Sequence, residues 1–102
     1  MKYIERRDKV MIYAEILGNI RSALRNGEKP TITRIQLKVN VPFVRFKEYW
    51  EDLKARGLIN TESEISLTKE GERYLEEYHK VREFLEDFGF IKEDDTENDK
   101  II

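Results

Sequence analysis

The sequence of 102 residues contains no cysteine, one histidine and two prolines. Without cysteine there are no disulfides and no thiolate metal sites. The single histidine, His79, has no second imidazole or thiol with which to share a metal ion. No apolar run approaches the roughly 20 residues that span a bilayer. The start, Met1-Lys2-Tyr3-Ile4-Glu5-Arg6-Arg7-Asp8, lacks the apolar stretch of a signal peptide. A cytoplasmic protein is expected. There is no glycine-rich phosphate loop, and the carboxylates are spread along helix faces, so neither catalysis nor a cofactor is expected.

Charge is what the chain has in abundance. Charged residues make up 39%, as do hydrophobic ones, which fits one small domain with much exposed helix surface. The net charge of -2 hides an asymmetry. Residues 1–56 carry 13 Lys and Arg against 7 Asp and Glu, whereas residues 57–102 carry 6 against 14. A basic half joined to an acidic half suggests a surface that faces a polyanion.

Periodicity predicts the elements. Val10, Tyr13, Leu17, Ile20 and Leu24 step by three and four, with Ile12 and Ile16 widening the stripe. This predicts an amphipathic helix from about Arg6 to Arg25, ended by Asn26-Gly27. After Pro30, Thr31-Ile32 reads as a very short strand, and a short helix follows from about Thr33 to Val39. Asn40-Val41-Pro42 is a break, with Asn40 read as the N-cap of a third helix, Pro42 to Arg56. Phe46, Trp50 and Leu53 mark its inner face, flanked by Phe43 and Tyr49. Leu58-Ile59-Asn60 and Ile65-Ser66-Leu67 are predicted strands of a hairpin. Thr68 caps a last helix that runs to about Phe88. Gly89 is its left-handed stop, and Phe90 is expected to fold back on Leu85. The domain is expected to span residues 1–91. Residues 92–102 are too polar to pack and are expected to form a disordered acidic tail.

Two helices joined by a tight turn and followed by a hairpin form a winged helix-turn-helix. The fold expected is thus mainly α with a small β-hairpin. The second helix of such a unit can lie in the major groove. Thr33-Arg34-Ile35, Phe46-Lys47-Glu48-Tyr49, Arg56-Gly57-Leu58-Ile59 and Leu67-Thr68-Lys69-Glu70-Gly71 carry a resemblance over roughly Arg6 to Phe88. On these segments the chain resembles the small archaeal winged helix-turn-helix DNA-binding proteins, including ArnR-like domains and chromatin-associated dimers. It departs from their usual pattern at Pro42, where serine is common. The resemblance implies double-stranded DNA as a partner and a homodimer paired through the last helix.

The candidate DNA-facing residues are Arg34 and Lys38 on the second helix, Val44, Arg45 and Lys47 on the third, and Arg6, Arg7 and Lys9 at the start of the first. Arg45 can bond a guanine in bidentate fashion or pair with Glu48 or Asp52. Arg34 and Lys38 suit phosphates, which position without specifying. Glu48 on the same side is awkward unless it pairs with Arg45 or accepts from a cytosine. The predicted wing carries only Glu62 and Glu64 as charged residues, so it is expected to add little to DNA binding.

On the last helix Tyr74, Tyr78, Val81, Leu85 and Phe88 form a seam of about two heptads. The seam either packs on its own domain or forms the homodimer interface, and a helix of about 30 Å is long for so small a core. A protein-binding winged helix is the competing function. An exposed Phe43 beside Val44 would favour it, and a continuous positive surface through Arg34, Lys38, Arg45 and Lys47 would favour DNA.

Overall fold

The computed structural model describes residues 7–91. They form α1 (Lys9–Arg25), α2 (Ile32–Val39), α3 (Phe43–Ala55), the strands β1 (Ile59–Asn60) and β2 (Ser66–Leu67), and α4 (Lys69–Asp87). The expected acidic tail lies outside the described residues, as does Arg6.

The Asp8 carboxylate accepts from the Met11 amide at 2.9 Å and starts α1. Ile12, Tyr13, Ala14, Ile16, Leu17 and Ile20 are the face that α1 buries. Val10 and Leu24, expected on this stripe, are 55% and 42% exposed. Val10 borders an open cavity against α4, and Leu24 lies in the last turn of the helix.

The strand expected at Thr31-Ile32 does not form. The Thr31 hydroxyl accepts from the Arg34 amide at 3.2 Å, so it caps α2, and Ile32 is the first residue of that helix. A free amide of a helix start gains a partner this way, whereas the sheet of the described residues has two strands only, β1 and β2.

Asn40 is not the N-cap of α3. It closes α2 in the left-handed region, φ 61° and ψ 52°, and its amide donates to the Gln36 carbonyl at 3.0 Å. Val41 is buried, and Pro42 takes the N-cap position of α3 without a side-chain cap. Asparagine tolerates the left-handed region better than other residues with a Cβ, which is why it reverses the chain here.

Phe46, Trp50 and Leu53 are buried, as the periodicity of α3 predicts, and the Phe46 and Trp50 rings stack with centroids 5.7 Å apart. At the end of α3 the Leu58 amide donates back to the Leu53 carbonyl at 3.0 Å around Gly57, whose φ of 74° suits glycine. The two strands then pair antiparallel, Ile59 with Leu67 and Asn60 with Ser66.

The motifs on either side of the hairpin lock together. The Thr68 hydroxyl donates to the Gly57 carbonyl at 2.6 Å and accepts from the Gly71 amide at 3.0 Å, so one side chain caps α4 and ties it to the end of α3. Leu75 is buried at 1% exposure and anchors α4 in the core. At the far end Gly89 is left-handed at φ 81° and the Phe90 amide donates to the Leu85 carbonyl at 2.8 Å, the backbone reversal expected there, with the Phe90 side chain 70% exposed. No helix of the described residues is long and apolar enough to cross a membrane.

Candidate nucleic-acid interface

α2 and α3 meet at the turn Val39–Pro42, and each carbonyl of its first three residues accepts from a side chain. The Arg7 guanidinium donates to the Val39 carbonyl at 2.9 Å and to the Asn40 carbonyl at 3.3 Å. Gln36 Nε2 donates to the Val41 carbonyl at 2.5 Å. The sequence marks the turn by Asn40 and Pro42 but gives no sign of Arg7 as its partner, because Arg7 reaches it across more than 30 residues of chain, whereas Gln36 reaches it from the preceding turn of α2.

The roll of α3 is fixed from α1. The Tyr13 hydroxyl donates to Asp52 at 2.5 Å, and Arg56 bonds the same carboxylate oxygen at 2.8 Å. The Tyr13 and Arg56 hydrogen bonds hold the Asp52 carboxyl below its ordinary range. Desolvation, then the Asp52 hydrogen bond, push the Tyr13 phenol upward. Asp52 in turn raises Arg56. Asp52 is thus spent on holding α3 against α1 and is not a partner of Arg45. The Tyr49 ring lies edge-on to Tyr13 at 5.5 Å and is half-buried.

With that roll set, α3 turns Val44 and Glu48 away from Phe46, Trp50 and Leu53. At about 100° per residue, Arg45 and Lys47 flank this ridge on opposite sides, about 160° apart. Val44 is 72% exposed and Phe43 58%, while Arg45, Lys47 and Glu48 are exposed as well. Among the described residues Lys38, Arg45 and Lys47 form no ion pair within 4.0 Å. Arg34 lies 3.9 Å from Glu28, both largely exposed, a pairing weak enough to yield to a phosphate. Lys9 sits 6.0 Å from the centre of the Tyr13 ring.

Arg7 differs from these. It pairs with Glu15 at 2.6 Å besides its two carbonyl bonds, and its side chain is 32% exposed. One of the two acidic residues of the wing, Glu64, lies 3.8 Å from Lys29 in the α1–α2 connection, and the other, Glu62, is exposed. A groove of about 330 Å³ runs between α3 and the hairpin, with Ile32, Phe43, Trp50 and Ile65 as its apolar walls and Lys47 and Lys54 among its lining residues.

The five residues of the α4 seam divide. Tyr74 and Tyr78 pack against their own core, and the Tyr74 hydroxyl donates to the Val10 carbonyl at 2.8 Å. Burial, then the neighbouring Tyr78, push the Tyr74 phenol up to about 12. Leu85 is half-buried, and Val81 and Phe88 are 53% and 68% exposed. Phe84 joins Phe88 as a tilted ring pair with centroids 4.9 Å apart. Tyr74, Tyr78, Val81 and Leu85 also line a cavity of about 590 Å³ between α4 and the start of α1. Among the described residues no group of three His, Cys, Asp or Glu side chains is placed to hold a metal ion.

A solved structure has the same fold: a mutant of MepR from a multidrug-resistant S. aureus clinical isolate, with a TM-score of 0.61 over 98% of this chain and 79% of that one, at 19% identity. No curated protein matches the sequence. The family model described as winged helix-turn-helix matches residues 6–86. That match spans most of the chain and the same elements that build the turn, the hairpin and all but the last residue of α4, so the protein belongs to the winged helix-turn-helix family.

Proposed function

We propose that the protein binds double-stranded DNA through α2 and α3, catalyses nothing, and acts as a homodimer paired through the far half of α4. In this reading it is a transcription regulator or a chromatin-associated protein of the cytoplasm. The observation that carries the reading is the exposed ridge of α3, flanked by the unpaired cations Arg45 and Lys47, with Lys38 and Arg34 on the helix before it. A recognition helix needs a narrow protruding edge with charge on its shoulders, because base edges lie at the floor of the groove and phosphates at its rims.

The geometry changes the roles expected of individual residues. Arg45 and Lys47 lie on the shoulders and suit phosphates on opposite rims. Val44 and Glu48 occupy the ridge: Val44 suits a thymine methyl group and Glu48 the amino group of a cytosine. Arg7 is engaged within the fold and is left out of the DNA-contacting set. The acidic wing, with Glu64 beside Lys29, adds little.

The dimer reading draws on α4. Val81, Phe84 and Phe88 leave an apolar strip exposed beyond the point where Leu75 anchors the helix, and a two-fold pair would present two α3 helices to half-sites about one helical turn, or a multiple of it, apart.

A protein partner for α3 is the second reading. It is favoured by Phe43 and Val44, which are exposed side by side, and by the apolar groove between α3 and the hairpin. Titration into labelled duplex DNA, followed by fluorescence anisotropy beside an Arg34/Lys38/Arg45/Lys47→Ala variant, separates the two. The DNA reading requires that the wild type binds and that the variant binds more weakly, with a shallower dependence on salt. If no duplex, genomic fragments included, is bound at low salt, the protein-partner reading takes its place.

A further inference from the structure

The planar ends of Arg7 and Gln36 close the Val39, Asn40 and Val41 carbonyls in the turn that joins α2 to α3. A helix end leaves its last carbonyls without partners. Here Asn40 turns left-handed and Pro42 has no amide to give, so backbone donors in the turn are scarce. Arg7 supplies the shortfall across sequence separations of 32 and 33 residues. Both hydrogens of its Nη1 are used, one on Glu15 at 2.6 Å and one on Val39 at 2.9 Å, while Nη2 reaches Asn40 at 3.3 Å. Glu15, on α1, orients the guanidinium from behind.

We propose that Arg7 is a positioning residue for the recognition helix: the Glu15–Arg7 pair clamps the helix-turn-helix turn, and so sets the angle at which α3 leaves α2, without touching DNA itself. The inference rests on the reading of α3 as the DNA-facing helix. A rigid fork suits the task, because one guanidinium spans three fixed acceptors. A lysine, with a single compact ammonium group, keeps the charge but cannot reproduce the fork. The first turn of α1 also links two regions, since Tyr74 of α4 holds the Val10 carbonyl one turn along from Arg7.

The test compares Arg7→Ala and Arg7→Lys with the wild type in duplex binding as a function of salt. Loss of the clamp reduces the fraction of chains with α3 at the competent angle. A fall of that fraction to a tenth lowers apparent affinity about tenfold. Both variants are expected to lose affinity to a similar degree, with the slope of log affinity against log salt unchanged. A phosphate-contacting Arg7 gives the opposite pattern: Arg7→Ala lowers the slope magnitude by about 0.9 and Arg7→Lys restores it, which overturns the proposal.

A second readout keeps the clamp testable if the protein binds no duplex. Amide exchange by NMR in Arg7→Ala is expected to quicken across Asn40–Lys47 while the amides of α4 stay protected. Uniform loss of protection means that Arg7 only stabilises the fold as a whole, and no change at the turn means that there is no clamp; either result overturns the proposal.

Discussion

A methyl group placed on Gly71 would stand 2.2 Å from the carbonyl oxygen of Leu58. The first turn of α4 and the entry to β1 therefore touch backbone to backbone, and the obstacle is a carbonyl with nowhere to go. This contact explains why a glycine follows Leu67-Thr68 three residues on. Thr68 bonds Gly57 on one side and the Gly71 amide on the other, and Gly71 lets the two segments close.

Gly71→Ala is accordingly expected to destabilise the protein by about 2–3 kcal/mol, as overpacking does in a site that cannot relax. Gly18, in the middle of α1, has nothing within 4 Å of the position its Cβ would take, so Gly18→Ala is expected to stabilise by about 0.5–1 kcal/mol through helix propensity. Urea midpoints at constant m-value check the opposite signs.

The buried Tyr13 and half-buried Tyr74 phenols set the alkaline limit of stability. Tyr13 and Tyr74 both have raised folded values, Tyr74 at about 12. A group whose folded value is raised contributes stability that is complete below its unfolded value, about 10 for tyrosine, and is lost as pH rises through the folded value. Stability is thus expected to fall as pH rises from about 10 toward 12, and less so in Tyr74→Phe. The depressed Asp52 carboxyl acts at the other end, with stability lost as pH falls through its folded value. Thermal melts across the pH range, wild type beside Tyr74→Phe and Asp52→Asn, read both limbs.

How much of this was legible in the sequence follows from the distance over which each signal acts. Phe46, Trp50 and Leu53 declare themselves by spacing alone, because a helix face is a local property. Thr68 and Gly71 declare themselves by motif, although the reason for the glycine, the Leu58 carbonyl, is visible only in the fold. Asn40 reads as a helix start in sequence but closes α2, because the same residue types favour helix starts and left-handed stops and only the backbone angle decides between them. Arg7 and Arg45 look alike in sequence. One is tied to Glu15 and two turn carbonyls and the other is exposed, a difference made by packing across more than 30 residues of chain.

Glu48 sits on the ridge of α3 where a polyanion would approach. Glu48→Gln is expected to raise affinity for most duplex sequences severalfold, since a charge near phosphates is removed, and to reduce discrimination among sites, since the acceptor for a cytosine is weakened. Competition with a library of duplexes measures both effects, and an unchanged affinity places Glu48 outside the interface.

The far half of α4 predicts the oligomeric state. Phe84→Glu with Phe88→Glu is expected to convert a homodimer to monomers in sedimentation at micromolar concentration, with helix content and melting of the domain core preserved. A wild type that sediments as a monomer at high concentration removes the homodimer from the account.

The most direct test of the central claim is the salt dependence of duplex binding by the wild type and the Arg34/Lys38/Arg45/Lys47→Ala variant. The account predicts a steep linear fall of log affinity with log salt in the wild type, and a slope lowered in the variant by about 0.9 for each phosphate contact removed. Equal slopes in the two proteins, or wild-type binding that ignores salt, would contradict it.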